Sequence, residues 1–204
     1  MNGAGGAGGA GSVLTGRVVE LRPADEGLLD ELFRETPRET FRYFLSWPDP
    51  WTREEFGRWL RTISDHGGNE TFVVVERAGG RVAGCTSYLD RDERHRSVEI
   101  GATWYVPGAR GTGVNPESKL LLMQRAFEAE GKQRVQLKCD ERNVVSQRAI
   151  AKLGAVREGV LRKHRILQDG FARNTVFFSV TAEEWPGVKA GLEARVERVA
   201  RGSG

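Results

Sequence analysis

A single α+β domain, one mixed β-sheet covered by helices, is the architecture this sequence predicts. Apolar residues alternate with a period of two in some segments and recur at helical spacing in others. The segments follow in the order β-α-α-β-β-β-α-β-α-β-β-α, which is not the regular alternation of a parallel doubly wound domain. A chain of 204 residues with 39% hydrophobic content is enough for one core of ordinary size, and it carries no internal repeat.

Arg17 to Arg22 (RVVELR) alternates as a short strand. Asp25 then offers an N-cap to a helix whose apolar positions are Leu28, Leu29, Leu32 and Phe33. An aromatic bridge, FRYFLSWPDPWT, is broken by Pro48 and Pro50. Thr52 and Glu55 make a capping box for a second helix carrying Phe56, Trp59, Leu60 and Ile63. TFVVVER and RVAGCTSYL read as the strands of a hairpin turning at Gly79-Gly80. A polar loop leads into the run VEIGATWYV, which Pro107 stops, and a helix of about four turns follows. RVQLKC is a strand, and a glycine-ended helix runs from Asn143 to Gly154. Strands near 156–166 and 172–180 meet at Gln168-Asp169-Gly170, and Ala182 to Arg198 forms a final amphipathic helix.

The Gly/Ala-rich start, residues 1–12, reads as a flexible tail, 13–181 as the domain, and 182–204 as a C-terminal helix with a loose end. No apolar run approaches the roughly 18 residues of a membrane span, and the N-terminus lacks the basic and apolar regions of a signal peptide. The expectation is a cytoplasmic protein without a membrane partner. Cys85 and Cys139 lie in apolar strand-like runs and read as small buried hydrophobes, so neither a disulfide nor zinc is expected. His66, His95 and His164 stand far apart and form no metal pattern. A formal charge of +3 favours anionic ligands but is too scattered to argue for nucleic acid. Glu193 and Glu197 interrupt the positive charge of the last helix, which packs on the domain or contributes to a homodimer.

The stretch GARGTGVNPESK raises a sharper question. Asn115 followed by Pro116 reads as an N-cap and first helical position, with Glu117 complementing the helix dipole. Arg110 to Val114 then form the loop in front of a helix N-terminus. Gly111 and Gly113 let the backbone turn and let a ligand reach its N–H groups, which suits a phosphate or pyrophosphate. The competing reading is a plain tight turn. A P-loop would place lysine and Ser/Thr where Val114 and Asn115 stand, and a dinucleotide fingerprint would place glycine at Pro116, so both fail.

The remaining spacing, Arg110-x-x-Gly113-x-Asn115, resembles the acetyl-CoA pyrophosphate loop (Q/R)-x-x-G-x-(G/A) of the GNAT N-acetyltransferase superfamily, with Asn115 replacing the last small residue. NVVSQRAIAKLGAVREGVLRKH, from Asn143, resembles the superfamily's N-x-x-S helix and the strand after it; Ala155 stands where relatives often carry phenylalanine. Ile100-Gly101 before Trp104 is similar to the family's "EIG" strand. The resemblance spans roughly residues 16 to 180. The aromatic bridge, GVN and the TAEEWPGVK tail bring it nearest to the Rim-type ribosomal-protein alanine acetyltransferase branch.

The resemblance implies the GNAT fold: a mixed, mostly antiparallel sheet of about six or seven strands, splayed in the middle and flanked by helices. It implies an enzyme that moves an acetyl group from acetyl-CoA, its cosubstrate, to a primary amine by direct attack, without a metal. The pantetheine arm would lie between the strands at 97–106 and 134–139, pairing with the backbone of Trp104, Tyr105 and Val106, and the Val106 N–H would serve the oxyanion. Arg110, Gly111, Thr112, Gly113, Val114 and Asn115 would hold the pyrophosphate, and Asn143, Ser146 and Lys152 would reach the pantetheine or phosphates. Asn143 and Lys152 are equally explained as a helix cap and a dipole partner.

Glu99 is the candidate base by its position on the strand; the competing reading is a salt-bridged strand glutamate. Ser146 resembles the acid that protonates the leaving thiolate; the alternative is a first-turn serine bonded to backbone. Tyr43, Trp47 and Trp51 lie in the proline-broken bridge and are candidates for the acceptor groove, against a simple core role. The acceptor implied first is a protein or peptide N-terminus. A small amine (antibiotic, polyamine or amino acid) is the second reading, and an acyl-CoA-binding module without turnover the third.

Overall fold

The computed structural model describes residues 12–202; the Gly/Ala tract up to residue 11 and residues 203–204 lie outside the described residues. Eight strands form one sheet in the order β1-β2-β3-β4-β5-β6-β8-β7. They are β1 (Leu14–Thr15), β2 (Val19–Pro23), β3 (Glu70–Glu76), β4 (Val82–Asp92), β5 (Ser97–Tyr105), β6 (Arg134–Asp140), β7 (Val156–Ile166) and β8 (Ala172–Thr181). Seven follow the alternation read from sequence; the addition is β1, too short to show a period. Every neighbouring pair is antiparallel except β5 with β6.

That exception organises the molecule. The parallel rungs are Ser97 with Arg134, Val98 with Val135 and Glu99 with Gln136. Beyond Glu99, β5 continues to Tyr105 and β6 to Asp140 with no further pairing between them. The sheet forks there, and β4 holds one arm of the fork while β8 holds the other.

Helices cover both faces. On one side are α1 (Glu26–Glu35) and α2 (Arg53–Ser64); on the other α3 (Val114–Gln124), continued by a π-turn over Arg125–Ala129, then α4 (Val144–Lys152) and α5 (Trp185–Gly202). The caps behave as their chemistry predicts: Asp25, Thr52 and Asn143 accept from the N–H of Leu28, Glu55 and Ser146. Strand β3 shows why a run such as TFVVVE can be apolar throughout. Phe72 and Val74 enter the core beneath α3 and α5, and Val73 and Val75 enter the core beneath α1 and α2. Helix α5 brings Trp185, Val188 and Leu192 into the first of these cores.

Strand β5 changes sides. Val98 and Ile100 belong to the first core, yet Trp104, an even number of residues on, belongs to the second. Opposite β4 the register shifts between Cys85–Trp104 and Ser87–Gly101, and Ala102 takes a φ of 44°. One extra residue bulges there and reverses which face the following side chains meet.

Helix α3 corrects the expected N-cap. It starts at Val114, with the Glu117 N–H donating to the Gly113 carbonyl at 3.1 Å. Asn115 therefore lies inside the first turn, and its Oδ1 accepts from the Tyr105 hydroxyl at 3.1 Å instead of capping. Glu117 does more than complement the dipole. Its buried carboxylate accepts the N–H groups of Arg17, Val18 and Val19 at 2.6–2.7 Å and so fixes the start of β2.

Candidate active site

A cavity of about 790 Å³ opens where β5 and β6 part. Its walls include Glu99 and the segment from Ile100 to Tyr105, the loop residues Arg110 and Gly111, Asn115 and Lys119 of α3, and Asn143 and Ser146 at the start of α4. On the opposite side lie Tyr43 to Ser46, Trp59 and Arg173. The fork thus forms a passage between the two faces of the sheet.

At one end of this passage the loop before α3 presents bare backbone. Among the described residues, the N–H groups of Gly111, Thr112, Gly113 and Asn115 donate to no acceptor. The Val114 N–H differs from expectation, because the Thr112 hydroxyl takes it at 3.2 Å while itself donating to the Ala109 carbonyl. The Val114 side chain is core. The two glycines serve different needs. Gly111 has a φ of 78°, whereas a Cβ on Gly113 would meet Val199 of α5 at 3.1 Å. Free N–H groups at a helix start, with the dipole behind them, fit a pyrophosphate.

Further in, the backbone of Trp104 and Tyr105 lines the cavity. The Tyr105 carbonyl accepts from Arg110 Nε at 2.9 Å. The Val106 N–H does not match the expected oxyanion donor, since it already donates to the Ala83 carbonyl at 2.9 Å as part of the β4 edge. Val106 does not line the cavity, and the Trp104 indole is turned away into the second core, where Nε1 donates to the Thr36 hydroxyl.

Glu99 occupies the last rung before the fork and is 3% exposed. Lys138 Nζ stands 2.5 Å from its carboxylate, and Gln136 Nε2 donates to it at 3.2 Å. Burial pushes the Glu99 carboxyl up from its ordinary value, and Lys138 pulls the other way. Glu99 is therefore both salt-bridged and cavity-lining. Lys138 and Gln136 escaped the sequence reading, although RVQLKC already sends Gln136 and Lys138 to one face and Val135, Leu137 and Cys139 to the other.

Ser146 lines the cavity and its N–H is taken by the Asn143 side chain at 3.0 Å, so Asn143 does cap its helix. The Ser146 side chain adjoins Cys139, whose thiol is pushed up by burial. Lys152 is exposed at the end of α4 and outside the cavity lining.

Of the three aromatic candidates on the acceptor side, the structure puts only Tyr43 at the cavity. Trp51 packs against Phe33, Phe41 and Phe56 at ring separations of 5.3–6.0 Å, and Trp47 also packs on the second core. A proline-broken loop can still be wrapped onto a core by its own rings. Trp59, read from its helical spacing as core, also reaches the cavity, with its Nε1 bonded to the Ser46 hydroxyl at 3.0 Å.

Lys119 and Arg173 were not foreseen. Lys119 is buried at the cavity wall, and its Nζ donates to the hydroxyls of Thr86 and Thr103 at 3.0 and 2.8 Å. Burial lowers its pKa to about 7. A lysine in the helical string PESKLLL carries no sequence sign of such burial.

Among the described residues, the sheet forks at its single parallel pair, and a bare-backbone helix start lies at the fork, a site suited to a phosphate-bearing ligand. The chain from residue 18 to 156 matches the family model described as an acetyltransferase (GNAT) domain. A protein from T. thermophilus, provisionally described as an acetyltransferase, is 40% identical in sequence; the likeness covers 91% of this chain and 97% of that one, with a TM-score of 0.86. A GCN5-related N-acetyltransferase from Brucella melitensis is 31% identical over 90% of this chain and 84% of its own, with a TM-score of 0.82.

Two Vibrio cholerae structures share the fold alone. They are a spermidine N-acetyltransferase in complex with CoA and spermine (16% identity, 84% of this chain and 99% of that one, TM-score 0.69) and a provisionally described ribosomal-protein-serine acetyltransferase (19%, 84% and 98%, 0.71). No curated protein matches the chain. The chain belongs to the GNAT acetyltransferase family and is an acetyl-CoA-dependent N-acetyltransferase.

Proposed function

We propose that the acceptor is the N-terminal amine of a protein or peptide, acetylated by direct attack on the thioester while both substrates occupy the fork, as in the Rim-type branch. The observation that carries this reading is the placement of Glu99 on the last paired rung, between the bare loop before α3 and the open side walled by Tyr43 to Ser46. The free N–H groups of Gly111, Thr112, Gly113 and Asn115 would hold the pyrophosphate, and acetyl-CoA supplies an activated carbonyl. Glu99, raised by burial, is suited to take the proton an ammonium must lose before it attacks. Ser146 at the first turn of α4 is placed to donate a proton to the departing thiolate.

Direct attack is supported by Cys139, the thiol that lines this cavity. Burial holds it protonated, so a covalent acetyl-cysteine step is disfavoured. A peptide has a way out past Arg42, Leu45 and Arg165, which are exposed at the acceptor side. A small amine is the second reading, favoured by the enclosed Arg173.

The test is thiol release from acetyl-CoA with peptides bearing N-terminal Ala or Ser, beside a panel of small amines, with mass spectrometry of the products. Peptides acetylated at their N-termini support the first reading. Turnover confined to small amines would overturn it in favour of the second.

A further inference from the structure

The electrostatics of the acceptor side bear on which amine this is. Arg173 of β8 lines the cavity and is 5% exposed. Its Nε donates to the Thr175 hydroxyl at 3.1 Å and Nη1 to the Tyr43 carbonyl at 3.3 Å. Among the described residues, no carboxylate lies within 4 Å of the guanidinium, and Nη2 donates to nothing. Burial pulls its pKa down, and Asp140, the acid that most opposes this, does not offset the cost. Asp140 is already engaged with Arg142 at 2.7 Å. Of the other acids lining the cavity, buried Glu99 and exposed Asp90 share Lys138, and Glu39 is exposed. Arg42 and Arg165, at the exposed side, also lack an ion-pair partner among the described residues. The cavity therefore carries surplus positive charge opposite Glu99. The open Nη2 of a largely buried guanidinium with no carboxylate beside it gives an anion entering the cavity a charge-assisted partner.

We infer that Arg173 is a specificity-determining residue that takes a carboxylate of the acceptor, so that the preferred substrate is an amine carrying its own negative charge. A polycationic amine would meet repulsion on the same side. The inference rests on the acetyl-transfer reading and narrows its substrate class. Two sources share the chemistry: an amino acid, and a peptide N-terminus followed closely by an acidic side chain. The guanidinium holds the carboxylate through Nη2 while Nη1 and Nε stay fixed to Tyr43 and Thr175. The amine is thereby turned toward Glu99.

The experiment uses matched pairs that differ only in charge: 4-aminobutyrate against 4-aminobutanamide, and amidated tetrapeptides beginning Ala-Glu against Ala-Gln. For the wild type, kcat/KM is expected to favour the acid of at least one pair by about 10- to 100-fold, the ordinary worth of a charge-assisted hydrogen bond. In Arg173→Gln and Arg173→Lys that ratio falls toward one, most completely in the glutamine variant. The responding pair identifies the source. A wild-type ratio of one in both pairs, which needs no variant at all, overturns the inference. So does a rise in the KM for acetyl-CoA with an unchanged ratio, since Arg173 would then serve the donor.

If no amine turns over, the acetyl-transfer reading fails separately. Calorimetric titration of 4-aminobutyrate and of the Ala-Glu peptide into CoA-loaded protein still reads the anion site. Binding lost in Arg173→Gln supports it, and binding absent or unaffected overturns it.

Discussion

Lys119 offers the cleanest link between a buried charge and a measurable quantity. Its amine sits between Thr86 and Thr103 with no carboxylate to compensate it among the described residues, and its pKa is drawn down to about 7 from 10.5. Between those values the folded protein holds a neutral amine while the unfolded chain holds an ammonium. The unfolded state binds more protons, so stability rises with pH across that window and flattens below about 7, where both states are charged. The full gap corresponds to roughly 5 kcal/mol, a large share of the 5–15 kcal/mol of a typical domain.

Other groups titrate too, so the quantity to compare is the wild type minus Lys119→Met. The methionine fills similar volume, and Thr86 and Thr103 still bond each other at 2.8 Å. Urea unfolding from about pH 6 to 9.5 should show the wild type gaining about 3 kcal/mol more than the variant, with the variant the more stable at the acid end. Parallel profiles would refute the argument, because they would mean that the amine is no harder to charge in the fold than outside it.

The remaining predictions concern the site and its supports. Glu99→Gln should reduce turnover by about 10²- to 10⁴-fold and remove the acid limb of the pH–rate profile, with acetyl-CoA affinity retained; unchanged turnover at every pH would leave Glu99 with its Lys138 pairing alone. Gly111→Ala should weaken acetyl-CoA binding, measured by titration, and cost about 1–2 kcal/mol of stability. Space is not the cause, since a Cβ there meets nothing; the φ of 78° is. Glu117→Gln should destabilise the fold by about 3 kcal/mol in denaturant, because one amide oxygen cannot accept three N–H groups. A loss below about 0.5 kcal/mol would mean that water replaces the carboxylate.

Much of this was legible in the chain because its physics is local. Caps at Asp25, Thr52 and Asn143 act within three residues, and the two-faced burial of β3 is written in a run of consecutive apolar residues. The glycine loop before α3 was likewise visible as a backbone feature. What escaped depends on distant partners or on a single residue of register. Glu117 finds its N–H groups about a hundred positions away, and nothing in VNPESK announces them. The bulge at Ala102 moves Trp104 across the sheet, and Gly101 beside it was the one local sign, read only as part of a family-like strand. Val106 looked free only while its antiparallel neighbour Ala83 was unknown. Trp47 and Trp51 were placed by the prolines beside them, but apolar area decided where the rings went.

The loop from Tyr43 to Trp47 is suspended from the β7–β8 hairpin. The Gln168 N–H donates to the Leu45 carbonyl, the Trp47 N–H returns to the Gln168 side chain, and Arg173 reaches the Tyr43 carbonyl. The end of the fork proposed for the coenzyme draws on none of these residues; its lining comes from 104–115 and the start of α4. The hairpin thus works as a bracket whose length and tilt set the width of one doorway and leave the other untouched. A lineage could retool its clientele by editing some half-dozen residues at a surface turn, while the loop before α3 proposed to hold the coenzyme is inherited unchanged.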